Sequence, residues 1–200
     1  MKYNEFMNNI KTPEELLNFM SSNIRYGYLG KNGRVYHCDD SDFNLDWYDQ
    51  YILEKPDDLL QNLVGNCWDQ VELERAWFLN HGYDVRTIYE MVLLDYENDY
   101  PSHSFLVYQN NYYWYWFENA DFNNQGIHKY SSFEELIKDQ YNKYINYLKK
   151  FNIAEEELKK IIITEFNTPK GHINAESYLH LVINSKYIDF LKENKKDESR

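Results

Sequence analysis

Apolar residues recur at helical spacing near both ends of the chain and gather into strand-like runs between residues 84 and 118. Thr12, Pro13 and Glu15 have the residue types of a helix start, namely a capping hydroxyl, a proline in the first turn and a carboxylate three residues after the cap. The pattern predicts helices at 12–23, 66–80, 132–151 and 176–183.

The predicted helix 66–80 ends at His81 and Gly82, where glycine can adopt the left-handed cap conformation. Its apolar residues lie on two faces, Val71, Phe78 and Leu79 on one and Leu73, Ala76 and Trp77 on the other. Apolar side chains on both sides indicate a helix that is buried in the protein.

Aromatic and β-branched residues predict strands at 84–94, 102–108, 112–118 and, nearer the end of the chain, 161–163. A buried helix followed by neighbouring antiparallel strands describes an α+β domain. We expect residues 1–131 to form its core and residues 132–200 to form a mainly helical extension packed on it, because no linker precedes Ser132. The charged tail 192–200 is expected to fray.

The chain is acidic, with 33 Asp and Glu against 21 Lys and Arg and a net charge of -12, so a nucleic acid would meet net repulsion. No segment has the roughly 18 to 20 apolar residues of a membrane span or the apolar stretch of a signal peptide. We therefore expect a cytoplasmic protein with no membrane or nucleic-acid partner, and the sequence leaves its oligomeric state open.

Two cysteines, Cys38 and Cys67, are too few for a disulfide framework and lie in unlike surroundings. Cys67 follows the small residue Gly65 and lies in the first turn of the predicted helix 66–80. The free N–H groups and the dipole of a helix N-terminus stabilise a thiolate, which suits a nucleophile. The alternative for an isolated cysteine is a small buried apolar side chain.

His103 lies in a predicted strand, and a nucleophilic thiol needs such a base together with a third group that orients it. A two-residue hairpin turn at Asn110 and Asn111 is favoured because Asn tolerates positive φ. That turn places Glu118 directly opposite His103, within reach of the imidazole. Asp121 is the competing carboxylate, but it points to the other face unless the register is broken.

The other histidines carry no comparable signal. His37, Cys38, Asp39 and Asp40 could ligate a metal, but they belong to no cluster with a known ligand spacing. Surface or capping roles are expected for His81, His128, His172 and His180. We therefore expect neither a metal nor another cofactor.

Cys67 on a helix after Gly65, His103 on a strand and an acidic residue on the next strand resemble the transglutaminase-like superfamily. The resemblance covers roughly residues 12–122 and includes three further patterns, which are Ile24-Arg25-Tyr26, Gly82-Tyr83-Asp84-Val85-Arg86 and Trp114 in the return strand. The sequence differs from the family in Glu118, where Asp is usual, and in Phe105, where Trp is common.

The resemblance implies a papain-like fold in which Cys67, His103 and Glu118 form a triad that acts on amide bonds of a protein or peptide through a thioester. Water as acyl acceptor gives a protease or deamidase, and a lysine amine gives a transglutaminase; the short chain slightly favours hydrolysis. The Cys67 backbone N–H is expected to bind the oxyanion, with Trp68 and Tyr26 as candidates for a second group. A catalytically silent binding module of the same fold and a small-molecule acyltransferase are the alternatives.

Overall fold

The structure is a computed structural model that describes residues 2–45, 47–94 and 100–189. The first part of the chain forms α1 (Tyr3–Asn9), α2 (Pro13–Asn23), β1 (Gly27–Leu29), β2 (Val35–His37), α3 (Trp47–Gln50) and α4 (Pro56–Asn62). The middle forms α5 (Cys67–Asn80), β3 (Asp84–Val92), β4 (His103–Asn110), β5 (Tyr113–Glu118) and β6 (Gly126–Tyr130). The last part forms α6 (Phe133–Leu148), a 3-10 turn (Lys149–Phe151), α7 (Glu155–Leu158), β7 (Ile161–Phe166), α8 (Ala175–Ile183) and β8 (Lys186–Tyr187).

Six strands form one antiparallel sheet in the order β6-β5-β4-β3-β7-β8, while β1 and β2 pair separately. The α+β class predicted from the sequence is confirmed. The strand predicted at 161–163 is also confirmed, and it continues to Phe166. Because β7 pairs with β3, the segment after residue 131 supplies strands to the sheet as well as helices.

Helix starts were predicted well because their caps are local. Thr12 Oγ accepts the Glu15 N–H at 3.2 Å in α2, and Ser132 Oγ accepts the Glu135 N–H at 3.0 Å in α6. The structure adds α1, α4 and β6, which have only 7, 7 and 5 residues and no extended periodic pattern. The tail 192–200 lies outside the described residues.

Helices cover both faces of the sheet. On one face α5 packs on β3 and β4, and a large apolar cluster joins Phe78 to Tyr89, Leu106 and Phe117. On the other face α6 packs on β5 and β6, and a second cluster forms around Trp116. The side chains of β4 alternate between these two clusters, so the sheet is buried on both sides.

Burial of α5 matches the prediction except at its C-terminal end. Leu73, Trp77 and Phe78 have no exposed surface. Leu79, the second-last residue of α5, was predicted to lie on a buried face but is 56% exposed. The buried part of the helix therefore ends at Phe78.

The predicted register of the β4–β5 hairpin is wrong. Asn110 pairs with Tyr113, so the turn is formed by Asn111 and Tyr112, with Asn111 in the left-handed conformation at φ 56°. Glu118 consequently comes opposite Phe105 and lies diagonal to His103 rather than directly across from it. Moving a two-residue turn by one residue changes each cross-strand partner by two positions, and two positions along a strand return to the same face.

Candidate active site

A capping box fixes the start of α5. Asn66 Oδ1 accepts the N–H groups of Trp68 at 2.8 Å and Asp69 at 3.3 Å, and Asp69 Oδ2 accepts the Asn66 N–H at 3.0 Å. Gly65 just before the cap is closely packed, because an added Cβ would lie 2.7 Å from Leu59 Cδ1 and 2.8 Å from Asp69 Cβ. Cys67 is therefore held as the first residue of the helix, beside its free N–H groups.

The Asp69 carboxylate ties this helix start to the loop before it. Its second oxygen accepts hydrogen bonds from the Tyr51 hydroxyl and the Glu54 N–H, both at 2.8 Å. Burial raises the pKa of Asp69 to about 7, against the lowering effect of these hydrogen bonds. The residue has a structural role, because the three hydrogen bonds that it accepts join the loop at Tyr51 and Glu54 to the start of α5.

His103 and Glu118 form the polar pair of the site. His103 Nε2 lies 2.7 Å from Glu118 Oε2, and the two side chains are 15% and 2% exposed. Diagonal neighbours on adjacent strands are about 7 to 8 Å apart, a gap that a Glu side chain closes. The His103 ring also stacks on Phe105 at 5.8 Å between centroids, which supports its orientation.

Glu118 is held by two further donors besides His103. Trp116 Nε1 donates to Oε2 at 3.2 Å, and the Asp121 backbone N–H donates to Oε1 at 2.8 Å. The Asp121 carboxylate instead accepts the Asn123 N–H at 3.0 Å and Asn124 Nδ2 at 2.6 Å. The structure thus places Glu118 on the imidazole and leaves Asp121 to close the turn after β5.

The Cys67 side chain interacts electrostatically with the His103 imidazole. Because Nε2 faces Glu118, the ring nitrogen available to the thiol is Nδ1. Burial alone lowers the pKa of His103, but the Glu118 carboxylate and Cys67 together raise it well above its ordinary value. A protonated imidazole next to a sulfur atom is the arrangement that stabilises a thiolate.

The two residues considered as oxyanion donors differ in their surroundings. Burial raises the pKa of the Tyr26 hydroxyl well above its ordinary value and the Cys67 side chain raises it further, whereas a hydrogen bond with the Cys67 backbone N–H lowers it. The ring of Trp68 instead stacks on Tyr178 at 4.2 Å between centroids and is 3% exposed. Tyr26 therefore lies beside the sulfur atom of Cys67, whereas the Trp68 ring packs on aromatic side chains of the core.

A cavity of about 530 Å³ opens beside Tyr26 and His103, which both line it. Phe122 stands at its wall, and the Phe122 and Tyr26 rings contact each other at 6.4 Å between centroids. Cys67 itself is 5% exposed, so a substrate in this cavity would meet His103 and Tyr26 before the sulfur atom.

Several polar residues that surround the site were not predicted to have a role. Asn119 Nδ2 donates to Gln70 Oε1 at 2.7 Å, and Gln70 Nε2 donates to the Gly65 carbonyl at 2.8 Å, which joins the end of β5 to the start of α5. Glu74, 3% exposed, lies two turns after Cys67 on the same helix. Burial and then the Glu118 carboxylate raise the pKa of Glu74 well above its ordinary value.

The most informative of the unassigned residues is Glu90, which pairs with His103 across β3 and β4 and is 1% exposed. The signal available in the sequence was a carboxylate within the otherwise apolar and aromatic run from Ile88 to Val92. Its place beside His103 depends on the β3–β4 register, which the connection between these strands does not reveal.

The structure also bears on the predictions made for Cys38, for a metal site and for membrane-spanning segments. Cys38 is exposed and lines the same cavity, and its side chain is a free thiol, as is that of Cys67. Within 2–45, 47–94 and 100–189, no group of three or more His, Cys, Asp or Glu side chains is arranged to hold a metal ion. None of the described helices is both long enough and apolar enough to cross a membrane.

The chain matches no family model and no curated protein. The geometry of Cys67, His103 and Glu118 is therefore the basis on which a function can be argued.

Proposed function

We propose that the protein is a cysteine-dependent acyltransferase or hydrolase with a papain-like, transglutaminase-like active site that acts on amide bonds of proteins or peptides. The observation that carries the proposal is the His103–Glu118 pair, with 2.7 Å between Nε2 and Oε2, together with the interaction of His103 with Cys67 at a helix start. This is the order of nucleophile, base and orienting carboxylate that activates a thiol.

In the proposed reaction the Cys67 thiol gives its proton to His103 Nδ1, and the sulfur attacks the carbonyl carbon of the substrate amide. The C–N bond then breaks, the leaving amine takes the proton from His103, and a thioester remains on Cys67. Water or an amine next gives a proton to His103 and attacks the thioester carbon. The C–S bond then breaks, and the sulfur takes the proton back from His103, which restores the Cys67 thiol. Cleavage, deamidation and cross-linking differ only in which amide reacts and which acceptor follows.

Glu118 supports this cycle by keeping Nε2–H of His103 directed at its carboxylate, so that Nδ1 stays toward the sulfur. The charge that develops on the carbonyl oxygen would be met by the Cys67 N–H and the Tyr26 hydroxyl. These two donors lie within reach of each other in the structure, so a substrate oxygen must enter between them.

The experiment that tests the proposal is incubation with glutamine-containing and lysine-containing peptides, followed by intact-mass analysis. A small mass gain marks deamidation, loss of ammonia between two peptides marks cross-linking, and fragments mark cleavage. Any of these products should form with the natural protein and be absent with Cys67→Ala. If Cys67→Ala still forms the product, cysteine catalysis is excluded.

A second candidate is a catalytically silent binding module, which is favoured by the 5% exposure of Cys67. Alkylation by iodoacetamide at neutral pH distinguishes the two. An activated Cys67 reacts ahead of the exposed Cys38 despite its burial, whereas a structural Cys67 reacts after Cys38.

A further inference from the structure

The cavity beside His103 has a polar floor that the proposed triad does not use. Glu90 from β3 and Gln140 from α6 both line it, and they are 1% and 3% exposed. Gln140 Nε2 donates to Glu90 Oε1 at 3.2 Å, which joins the two side chains. The pair lies on the same face as His103, because Glu90 and His103 are direct cross-strand partners.

Two acceptor atoms of this floor are unsatisfied. Glu90 Oε2 and Gln140 Oε1 are fully buried and have no hydrogen-bond partner among the described residues. Leaving a buried acceptor without a donor costs about 1 to 3 kcal/mol, more for a charged group, so such atoms call for an explanation. With Glu90 ionised, the two side chains present adjacent acceptors that fit a ligand group with at least two N–H or O–H donors.

The walls of the cavity favour a positively charged donor. Four aromatic side chains, those of Tyr26, Phe122, Tyr144 and Tyr147, line it. Aromatic faces attract cations, and a carboxylate at the base of an aromatic cavity adds a direct ion pair. Burial raises the pKa of Glu90 to about 8, and a bound cation would oppose this shift by favouring the carboxylate.

The lysines that line the cavity have other contacts. Lys143 forms an ion pair with Asp139, and its ammonium group also lies 5.9 Å from the centre of the Trp116 ring. The Lys150 ammonium lies 5.6 Å from the centre of the Tyr147 ring. The His103 imidazole also acts on the Glu90 carboxyl and lowers its pKa, but its Nε2 is directed at Glu118, so a cation bound on the floor would come from a ligand.

We propose that Glu90 and Gln140 form a substrate subsite that binds a primary ammonium group, such as the side chain of a lysine near the amide that reacts at Cys67. The cation in this subsite is recognised and does not react. The inference that the ammonium belongs to the substrate rests on the proposed function, but the binding of a cation next to His103 does not.

Binding can be tested without turnover in the Cys67→Ala protein. The probes are N-acetyl-lysine methylamide and the norleucine counterpart, which has the same four-carbon side chain but lacks the amine. Binding is followed by NMR titration. The lysine probe should bind at least about tenfold more tightly, since an unmatched buried charge or hydrogen-bonding group costs at least that much. Equal binding of the two probes overturns the subsite.

Two variants locate the interaction. Glu90→Gln keeps the shape and removes the charge, and Gln140→Leu removes the second acceptor; each should weaken the lysine probe by about tenfold and leave the norleucine probe unchanged. Glu134→Gln, an exposed carboxylate on the same helix as Gln140, is the control and should change neither. Thermal melting identifies a variant that fails to fold, and the other variant then decides. Unchanged lysine binding in a folded variant of either residue contradicts the assignment.

Activity then separates this proposal from the proposed function. If peptides with lysine next to the reacting residue turn over faster than their norleucine counterparts, both stand. Turnover without preference, together with equal binding of the two probes, overturns the subsite and leaves the triad. Selective lysine binding without turnover of any peptide leaves the subsite and overturns the enzyme.

Discussion

Replacing Glu118 by Gln changes one atom of a carboxylate whose two oxygens both accept hydrogen bonds. Oε2 accepts from His103 and Trp116, and Oε1 accepts from the Asp121 N–H. In the variant one of these oxygens becomes an NH2 group that faces a donor. Whichever way the amide turns, either the imidazole or the turn after β5 loses its acceptor, and the negative charge is lost in both cases.

The expected cost follows from the role of such a carboxylate. Loss of the group that orients a catalytic imidazole lowers kcat by between about tenfold and about ten-thousandfold, which corresponds to about 1.4 to 5 kcal/mol in the activation free energy. Asp121→Asn is the matched control, because this carboxylate lines the same cavity but accepts from Asn123 and Asn124 and not from His103. Substitutions of that kind cost about 0.5 kcal/mol or less, or about twofold.

Two measurements report the effect. Turnover of a peptide identified by mass analysis gives kcat for the natural protein, Glu118→Gln and Asp121→Asn. The rate of Cys67 alkylation across pH reports the state of the thiol without a substrate, and Glu118→Gln should slow it because the protonated imidazole loses its charged partner. The reasoning is refuted if Asp121→Asn lowers kcat more than Glu118→Gln does.

Four further outcomes are expected. Cys67→Ala should abolish turnover and leave the circular dichroism spectrum and melting temperature close to those of the natural protein; loss of the fold would identify a structural cysteine. Asn66→Ala removes the cap of α5 and should lower the free energy of unfolding by about 1 kcal/mol in urea titration, whereas no change would mean that water replaces the cap. A glycine inserted between Asn111 and Tyr112 should reduce turnover about as much as Glu118→Gln, and full activity would show that a bulge absorbs it. Stability should fall as pH rises from about 4.5 to about 8, because burial raises the pKa of Glu90 and the unfolded state loses its proton first; Glu90→Gln should flatten this slope in urea titrations across that range.

Local signals led to the central residues of the site. The cap before Cys67, the turn after β4 and the alternation along both hairpin strands are each encoded within a few residues, so the sequence could predict that Cys67, His103 and Glu118 lie near one another. The turn was misplaced by one residue, and the face of Glu118 was still correct because the partner moved by two positions. A shift of one position in the pairing would have placed the carboxylate on the wrong face.

Features that depend on distant parts of the chain were not predicted. Glu90 on β3 contacts Gln140 only because α6 packs against the sheet, and these two residues are 50 positions apart in the sequence. Trp68 follows Cys67 in sequence, but its ring stacks on Tyr178, which α8 supplies from the C-terminal third. A position next to a catalytic residue in sequence says little about which side of a helix faces the site.

The pairing of β7 with β3 bears on how the protein folds during synthesis. Strands β3, β4 and β5 and the Cys67 helix have all left the ribosome before residue 161, so for that interval β3 presents an open edge of backbone donors and acceptors. Only when Ile161–Phe166 emerges can that edge be paired. The order of synthesis therefore creates a partly assembled sheet that already contains the proposed catalytic residues. At this stage the unpaired edge of β3 makes the nascent chain more open to association with other chains, or to binding by a chaperone, than the complete protein is.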